Sequence, residues 1–502
     1  MKVRLFLLAP LVVLLPSCGL FGGGGVKRGS IDGFVFTTVE TKSGQPSRLA
    51  PPEGYTAVEG ALVQVEGTKI SSLTDASGYF LLEGVPVGER TLVVSKEGFL
   101  PVRVTVTVQE SQIVRAHSEG ADFIVLPRAT RVWTVMVYMG ADNDMDEVAL
   151  DDLNEMEKAG STDNFTVVVQ LDRRGGGAKR YLVVKDDDPT KVGSQLLEDL
   201  GEVNMGDPQT LADFVRWGVE TYPAQHYMLV LWNHGTGWVP RVVRPRPRAI
   251  VYDDTDNDQL STPELREALS RAGAFVDILG FDACLMQMTE IAYEVRGYAR
   301  YMVASEENEP WEGWPYDRVL SNLVSNPTMT PLELAKAIVD EYIAYVDSTG
   351  WTLSVADLSR MDEVGKALDK LAKALADAWS QQKEDILLAI EQTQRFDIVG
   401  IFGGQYSDYR DLAHFAYLLT EGVGDPAVKG AASSLLDALS GAVPYSRYKG
   451  DAVKDAQGLS IYLPDSFTTP LEKRTKLNQY RSLPLAQDTY WDEFLALIPV
   501  GG

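Results

Sequence analysis

Between Val132 and Ser305, short apolar runs alternate with stretches of helical period, and this alternation restricts the fold more than any other feature. Val132–Met139 is a nearly unbroken apolar run, the pattern of a strand buried on both faces. A turn at Gly140–Ala141–Asp142–Asn143–Asp144 follows, and Val148, Leu150, Leu153 and Met156 then predict a helix over Met145–Lys158. Further strands are expected at Phe165–Leu171, Tyr181–Val184, Tyr227–Trp232, Val276–Phe281 and Arg300–Ser305. Helices are expected at Gln209–Tyr222, Thr262–Ala272 and Leu285–Val295. Asp207 and Pro208 suit an N-cap and first helical position, as Ser261 and Pro263 do for the next helix. Strands and helices in this order make a mostly parallel sheet covered on both faces.

The flanks read differently. Lys2 and Arg4 precede an apolar stretch, Leu5–Leu15, too short to span a bilayer. With Leu15–Pro16–Ser17–Cys18 after it, residues 1–18 resemble a bacterial lipoprotein signal, in which Cys18 becomes the lipidated first residue. The alternative is a plain secretory signal cleaved nearby. Residues 19–29 form a glycine-rich tether. Over 30–127, short alternating runs such as Ala61–Val65, Tyr79–Leu82 and Val102–Val108 are separated by turn residues, the signature of a small antiparallel sandwich. Gly60–Val65, Thr74–Phe80 and Val85–Gly88 resemble the carboxypeptidase regulatory-like domain, which implies a seven-stranded transthyretin-like sandwich without catalysis of its own. Beyond residue 326 helices dominate (Pro331–Val346, Arg360–Trp379, Asp408–Thr420, Ala427–Ser440), and Trp351–Ala356 and Gly458–Leu463 read as further sheet strands.

The formal net charge of −25 argues against nucleic acid as a partner, because phosphates would be repelled. The chain has only four His and two Cys. If Cys18 is lipidated, Cys284 is the single thiol left. It follows the apolar run Val276–Phe281, and His234 follows Tyr227–Trp232. Ligands of open α/β sheets bind beyond the carboxyl ends of the strands, so neighbouring strands would bring thiol and imidazole to one edge. A nucleophile and its base are then in reach of each other. A helix opening at Leu285 would add its dipole to favour thiolate. Gly235 leaves the backbone accessible, and the N–H groups of Gly235 and Cys284 are candidate oxyanion donors. Taken singly, each residue is as well explained as a buried core residue; together they point to acyl chemistry.

Val135–Asn143, Leu231–Gly235, Phe281–Met286 and Ala304–Glu307, in that order, resemble the clostripain family of cysteine peptidases, relatives of the caspases. The likeness covers about 131–325 well and 326–502 more loosely. It implies a caspase-like α/β/α sandwich, endopeptidase activity after Arg or Lys by a His–Cys dyad falling on His234 and Cys284, and often dependence on calcium. It places the family's acidic specificity residue on Asp282, where a carboxylate suits a guanidinium; the alternative for Asp282 is a helix N-cap. Alternate carboxylates at Asp254, Asp256 and Asp258 resemble the opening of a calcium loop, but Gln259 stands where that loop requires glycine, and a solvated loop is the alternative. Four arginines lie between Pro240 and Ala249. Relatives are often activated by a cut between His and Cys, and Arg248 is the expected self-cleavage point, since Arg244 and Arg246 precede prolines. The functional expectation is a membrane-tethered, extracytoplasmic endopeptidase of the bacterial envelope. The competing one is a catalytically silent surface protein that binds through its sandwich.

Overall fold

The computed structural model describes residues 27–38, 52, 54–96, 99, 102–118, 120–127, 131–238, 250–347, 350–397 and 408–501. Cys18 and the segment 239–249, with Arg248, lie outside the described residues. The chain divides near residue 128 into two compact units.

The first unit is an all-β sandwich. One sheet is built on the long strand Arg28–Thr38, antiparallel to Tyr55–Ala57 and Tyr79–Pro86 and parallel to Ile113–Ala116 and Ile124–Val125. The other runs Ser71–Leu73, Leu62–Val65, Gly88–Ser95, Val102–Val108, all antiparallel. Alternate residues point inward, so Val104, Val106 and Val108 are buried while Arg103, Thr105 and Thr107 are exposed. The described residues hold nine strands rather than seven. Tyr55–Ala57, Ser71–Leu73 and Ile113–Ala116 escape a pattern reading because each has three or four residues and little burial.

The second unit is a nine-stranded sheet between two helical layers. Its strands are β1 (Arg131–Ala141), β2 (Phe165–Arg173), β3 (Gly177–Leu182), β4 (Gln195–Gly201), β5 (Ala224–Trp232), β6 (Val276–Asp282), β7 (Ala299–Ala304), β8 (Trp351–Asp357) and β9 (Tyr445–Lys449). The order across the sheet is β4-β3-β2-β1-β5-β6-β7-β8-β9. The five central strands are parallel, and two antiparallel strands close each edge. The apolar runs are unbroken because both faces are covered. Val135, Val137 and Met139 join the core beneath α1 (Asp146–Ala159), α5 (Tyr316–Ser325) and α6 (Pro331–Tyr345). Met136 and Tyr138 join the core beneath α2 (Pro208–Thr221), α3 (Thr262–Ala272), α4 (Thr289–Val295) and the long α7 (Met361–Gln392). Each fully buried aliphatic side chain contributes about 1.5–3 kcal/mol to such a core.

Local chemistry sets the helix ends. Asp207 accepts from the Gln209 N–H ahead of Pro208, and Ser261 with Glu264 forms a capping box on α3. Two expectations need correction. α7 runs on to Gln392 because the polar stretch after Trp379 is solvated helix, and apolar positions resume at Ile386, Ala389 and Ile390. Gly458–Leu463 is not part of the large sheet: its strand, Ser460–Tyr462, pairs with Tyr409–Asp411 in a separate two-stranded ribbon. No described helix is long and apolar enough to cross a membrane.

Candidate active site

The site is built where β5 and β6 end. They pair in parallel with Trp232 opposite Asp282, so the residues just beyond them leave the sheet side by side. His234 lies two residues past its strand partner and Cys284 two residues past Asp282. Two asparagines knit the surrounding ends together. Asn143 Nδ2 donates to the Gly140 and Tyr252 carbonyls at 2.9 and 3.1 Å, and Asn233 Nδ2 donates to the same two carbonyls, at 3.0 Å to Tyr252. The Asn233 N–H donates to the Asp282 carbonyl at 3.3 Å. Gly235 is required where it stands, since a Cβ there would lie 2.3 Å from the Cys284 carbonyl oxygen.

Cys284 does not open a helix. α4 begins only at Thr289, and Leu285 takes a left-handed φ of 64° that breaks any helical path from the strand. The expected dipole effect on the thiol is therefore lost. The segment is pinned instead by the turn after β7: the Leu285 N–H donates to the Glu307 carbonyl at 3.1 Å and the Gln287 N–H to the Ser305 carbonyl at 2.9 Å. Sγ of Cys284 accepts from the Glu309 N–H at 3.2 Å. Burial pushes the thiol well above its ordinary range, and the nearby Glu309, Glu307 and Asp282 carboxyls act in the same direction; the Glu309 N–H only partly opposes them.

His234 Nε2 meets Asp144 Oδ1 at 2.7 Å. Its ring packs edge-on to Tyr252 and tilted against the half-exposed Trp311, each 6.1 Å away between centroids. No hydrogen bond joins the His234 ring to Cys284 Sγ. In this resting arrangement the imidazole is held by a carboxylate and the thiol by a backbone amide.

Asp282 caps no helix, because none starts nearby. Its Oδ2 accepts from the Tyr316 hydroxyl at 2.8 Å and from the Trp314 N–H at 3.3 Å, and Gly313 leaves space against its other oxygen. Burial pushes the carboxyl up to about 6, against the pull of its hydrogen bonds with Glu309, Tyr316 and Trp314. Glu309, fully desolvated and facing that charge, is pushed further up and holds the proton of the pair. Behind them Asp152 accepts from Trp232 Nε1 at 2.6 Å and is pushed up by burial and by Asp282.

The three alternate carboxylates of the 250–260 hairpin do not converge. Asp254 pairs with Arg174 at 2.8 Å, Asp258 accepts from Asn204 at 2.8 Å, and Asp256 turns its N–H to Asp253. The carboxylates that do meet are Asp142, Asp172, Glu202 and Asp253, each with an oxygen within 4.8 Å of the others. Four hard oxygen donors, with both Asp172 oxygens lacking any hydrogen-bond donor, fit a calcium-class ion. Sequence reasoning missed this set because its members come from four separate segments. It also missed Asp144 and Trp311, although Asp144 lies in the strand-end turn that the sequence marks.

Comparison with known proteins accords with this geometry. The clostripain family model matches residues 137–497, and the carboxypeptidase regulatory-like domain model matches 52–118. The chain is 26% identical to clostripain of Hathewaya histolytica over 398 residues, 66% of this chain and 74% of that protein. It superposes on a secreted C11 cysteine protease from Bacteroides thetaiotaomicron, bound to an irreversible peptide inhibitor, with a TM-score of 0.55 at 23% identity over 73% of this chain and 99% of the other. An inactive zymogen C11 protease from Parabacteroides distasonis gives a TM-score of 0.57 at 21% identity over 72% and 99%. With the family model spanning most of its length, and with a thiol and an imidazole at adjacent strand ends of a caspase-like sheet, the chain belongs to the clostripain family of cysteine peptidases.

Proposed function

We propose that the protein is an exported endopeptidase, tethered to the membrane through a lipid on Cys18, that cleaves after Arg or Lys with Cys284 as nucleophile and His234 as base. The observation that carries this reading is the parallel pairing of β5 with β6, which sends His234 and Cys284 off one sheet edge above a buried carboxylate, Asp282. Substrate binding displaces Sγ from the Glu309 amide and turns the His234 ring toward it. His234 takes the thiol proton as Sγ attacks the scissile carbonyl, and the Gly235 and Cys284 N–H groups receive the oxyanion. The imidazolium then protonates the leaving amine, and water, deprotonated by the same ring, hydrolyses the thioester. Asp144 steadies the imidazolium. Export and activation by cutting are supported by the secreted and zymogen relatives, and the basic run before Ala249 supplies Arg248 as the bond to cut.

Asp144 has a largely exposed side chain, so its pairing with His234 is worth about 1 kcal/mol at most. Asp144→Asn is expected to lower kcat about three- to tenfold with KM nearly unchanged; an unaltered kcat would remove Asp144 from the account. Asp282 must be ionised to hold a guanidinium. Its carboxyl is raised to about 6, so it is protonated below that pH, and KM for an Arg substrate should fall as pH rises through about 6. Asp282→Asn should abolish both the Arg preference and this limb, and a variant that keeps either would show that Asp282 does not contact the substrate. Intact-mass analysis of membrane-extracted wild type beside Cys284→Ala reads the remaining two points. Two chains, cut between Arg248 and Ala249, are expected for wild type only, with a lipid on Cys18 in both proteins. A cut mutant contradicts self-processing, and an unlipidated N-terminus contradicts the anchor.

A further inference from the structure

We propose that Trp311 forms a wall of the basic side-chain site and sets a preference for Arg over Lys, its indole covering a planar guanidinium whose charge is met by Asp282. This rests on the proposed peptidase reading and names the finer substrate class of the same site. The short segment 309–314 arches from the nucleophile to the specificity carboxylate. At one foot the Glu309 N–H donates to Cys284 Sγ at 3.2 Å. At the other the Trp314 N–H donates to Asp282 Oδ2 at 3.3 Å, and Gly313 leans so close that an added Cβ would lie 2.8 Å from Asp282 Oδ1. The Gly313 N–H closes the arch by donating to the Pro310 carbonyl at 3.0 Å, with a left-handed φ of 58° at Gly313 itself. Trp311 stands at the crown, two residues from Glu309 and two from Gly313, so its backbone lies no more than about 7 Å from either. A substrate residue whose carbonyl is attacked by Cys284 and whose side chain ends on Asp282 spans the same two feet, and that side chain runs beside the arch. Among the described tryptophans only Trp311 is exposed, whereas Trp314, three residues on, is completely buried. Its ring faces the mouth of the site, 6.1 Å from that of His234 between centroids.

Asp282 alone does not choose between the two bases. A carboxylate favours a guanidinium over an ammonium when the guanidinium can fork across both of its oxygens. Here Oδ2 already accepts from the Tyr316 hydroxyl at 2.8 Å and from the Trp314 N–H, which uses both of its lone pairs. A hydrogen bond with Glu309 takes up more of the same carboxyl. What remains is one negative charge with a narrow approach, which suits an ammonium as well as a guanidinium. The exposed indole supplies the discrimination that the carboxylate lacks. The aliphatic stem of either base gains by covering apolar surface of the ring. Only the guanidinium is flat and weakly hydrated enough to lie on the aromatic face, whereas the ammonium is compact and keeps its water. The difference is worth about tenfold in affinity.

The test uses the full chain and matched fluorogenic peptides that differ only in Arg or Lys before the cleaved bond. The parent is expected to favour Arg about tenfold or more in kcat/KM. Trp311→Ala should raise KM about tenfold for the Arg peptide and less than about threefold for the Lys peptide, with kcat for both within about twofold, so that the preference collapses. Trp311→Phe, which restores an aromatic face, should keep most of it. Because the ring also packs against His234, the rate at which iodoacetamide alkylates Cys284 is followed against pH in the parent and in Trp311→Ala, and the two profiles should coincide. An unchanged Arg preference in Trp311→Ala would overturn the assignment. So would an equal loss on both peptides or a shifted alkylation profile, since either makes Trp311 a prop for His234. A parent that cleaves neither peptide although its Cys284 is alkylated would overturn the peptidase reading itself, and the role of Trp311 with it.

Discussion

The register between β5 and β6 is the constraint on which the rest depends. Trp232 opposite Asp282 means that two chain segments 50 residues apart leave the sheet at the same height and on the same edge. The turns that carry His234 and Cys284 are arranged around that exit. Gly235 lets one turn lie against the Cys284 carbonyl, and Leu285 accepts a left-handed backbone so that the other can turn back under the 305–309 segment. Such a conformation costs a non-glycine residue about 1–3 kcal/mol. It is held by hydrogen bonds from Leu285 and Gln287 to the turn after β7.

Buried carboxyl groups are the second theme, and they are used in three ways. Glu306 is desolvated and shares a proton with Asp411, while its other contact, the Gly458 N–H at 2.9 Å, ties the small ribbon to the large sheet. Asp282 and Glu309 share a proton beside Cys284, which leaves the pair one negative charge. Asp142, Asp172, Glu202 and Asp253 crowd together, and burial, with Asp253 beside it, raises the Asp172 carboxyl to about 8. In all three sets burial pushes at least one carboxyl toward its protonated form. The strongly negative composition is thus partly local chemistry rather than only solubility.

The fold was legible in the sequence where one period dominates a long segment. β1, β5 and β6 follow from near-continuous apolar runs, and α2 and α3 from caps and prolines at their first turns. The parallel centre and the all-β first unit follow from the same patterns. What failed to show has physical causes. Leu285, Met288, Ile291 and Ala292 have helical spacing, yet the backbone at Leu285 is left-handed, a property that apolar periodicity does not encode. Strands β4 and β9 are edge strands with exposed or half-exposed residues, so neither alternates clearly. The neighbouring placement of His234 and Cys284 could be expected because both residue types are rare here and each follows a strand. Which acids converge could not, because Asp172 and Glu202 meet Asp142 and Asp253 only through the sheet order. Asp144 stood in a turn already singled out, but its reach to His234 depends on β1 lying next to β5.

The central claim is that Cys284, activated by His234, is the nucleophile of this sheet edge. Labelling with a peptidyl-arginine acyloxymethyl ketone, followed by peptide mass mapping, tests it most directly, because that reagent alkylates a thiol only once it is bound as a substrate is. The account predicts a single adduct on Cys284, blocked by excess Arg-containing peptide and lost in His234→Ala although iodoacetamide still alkylates the unfolded variant. An adduct elsewhere, or one formed at the same rate without His234, would contradict it.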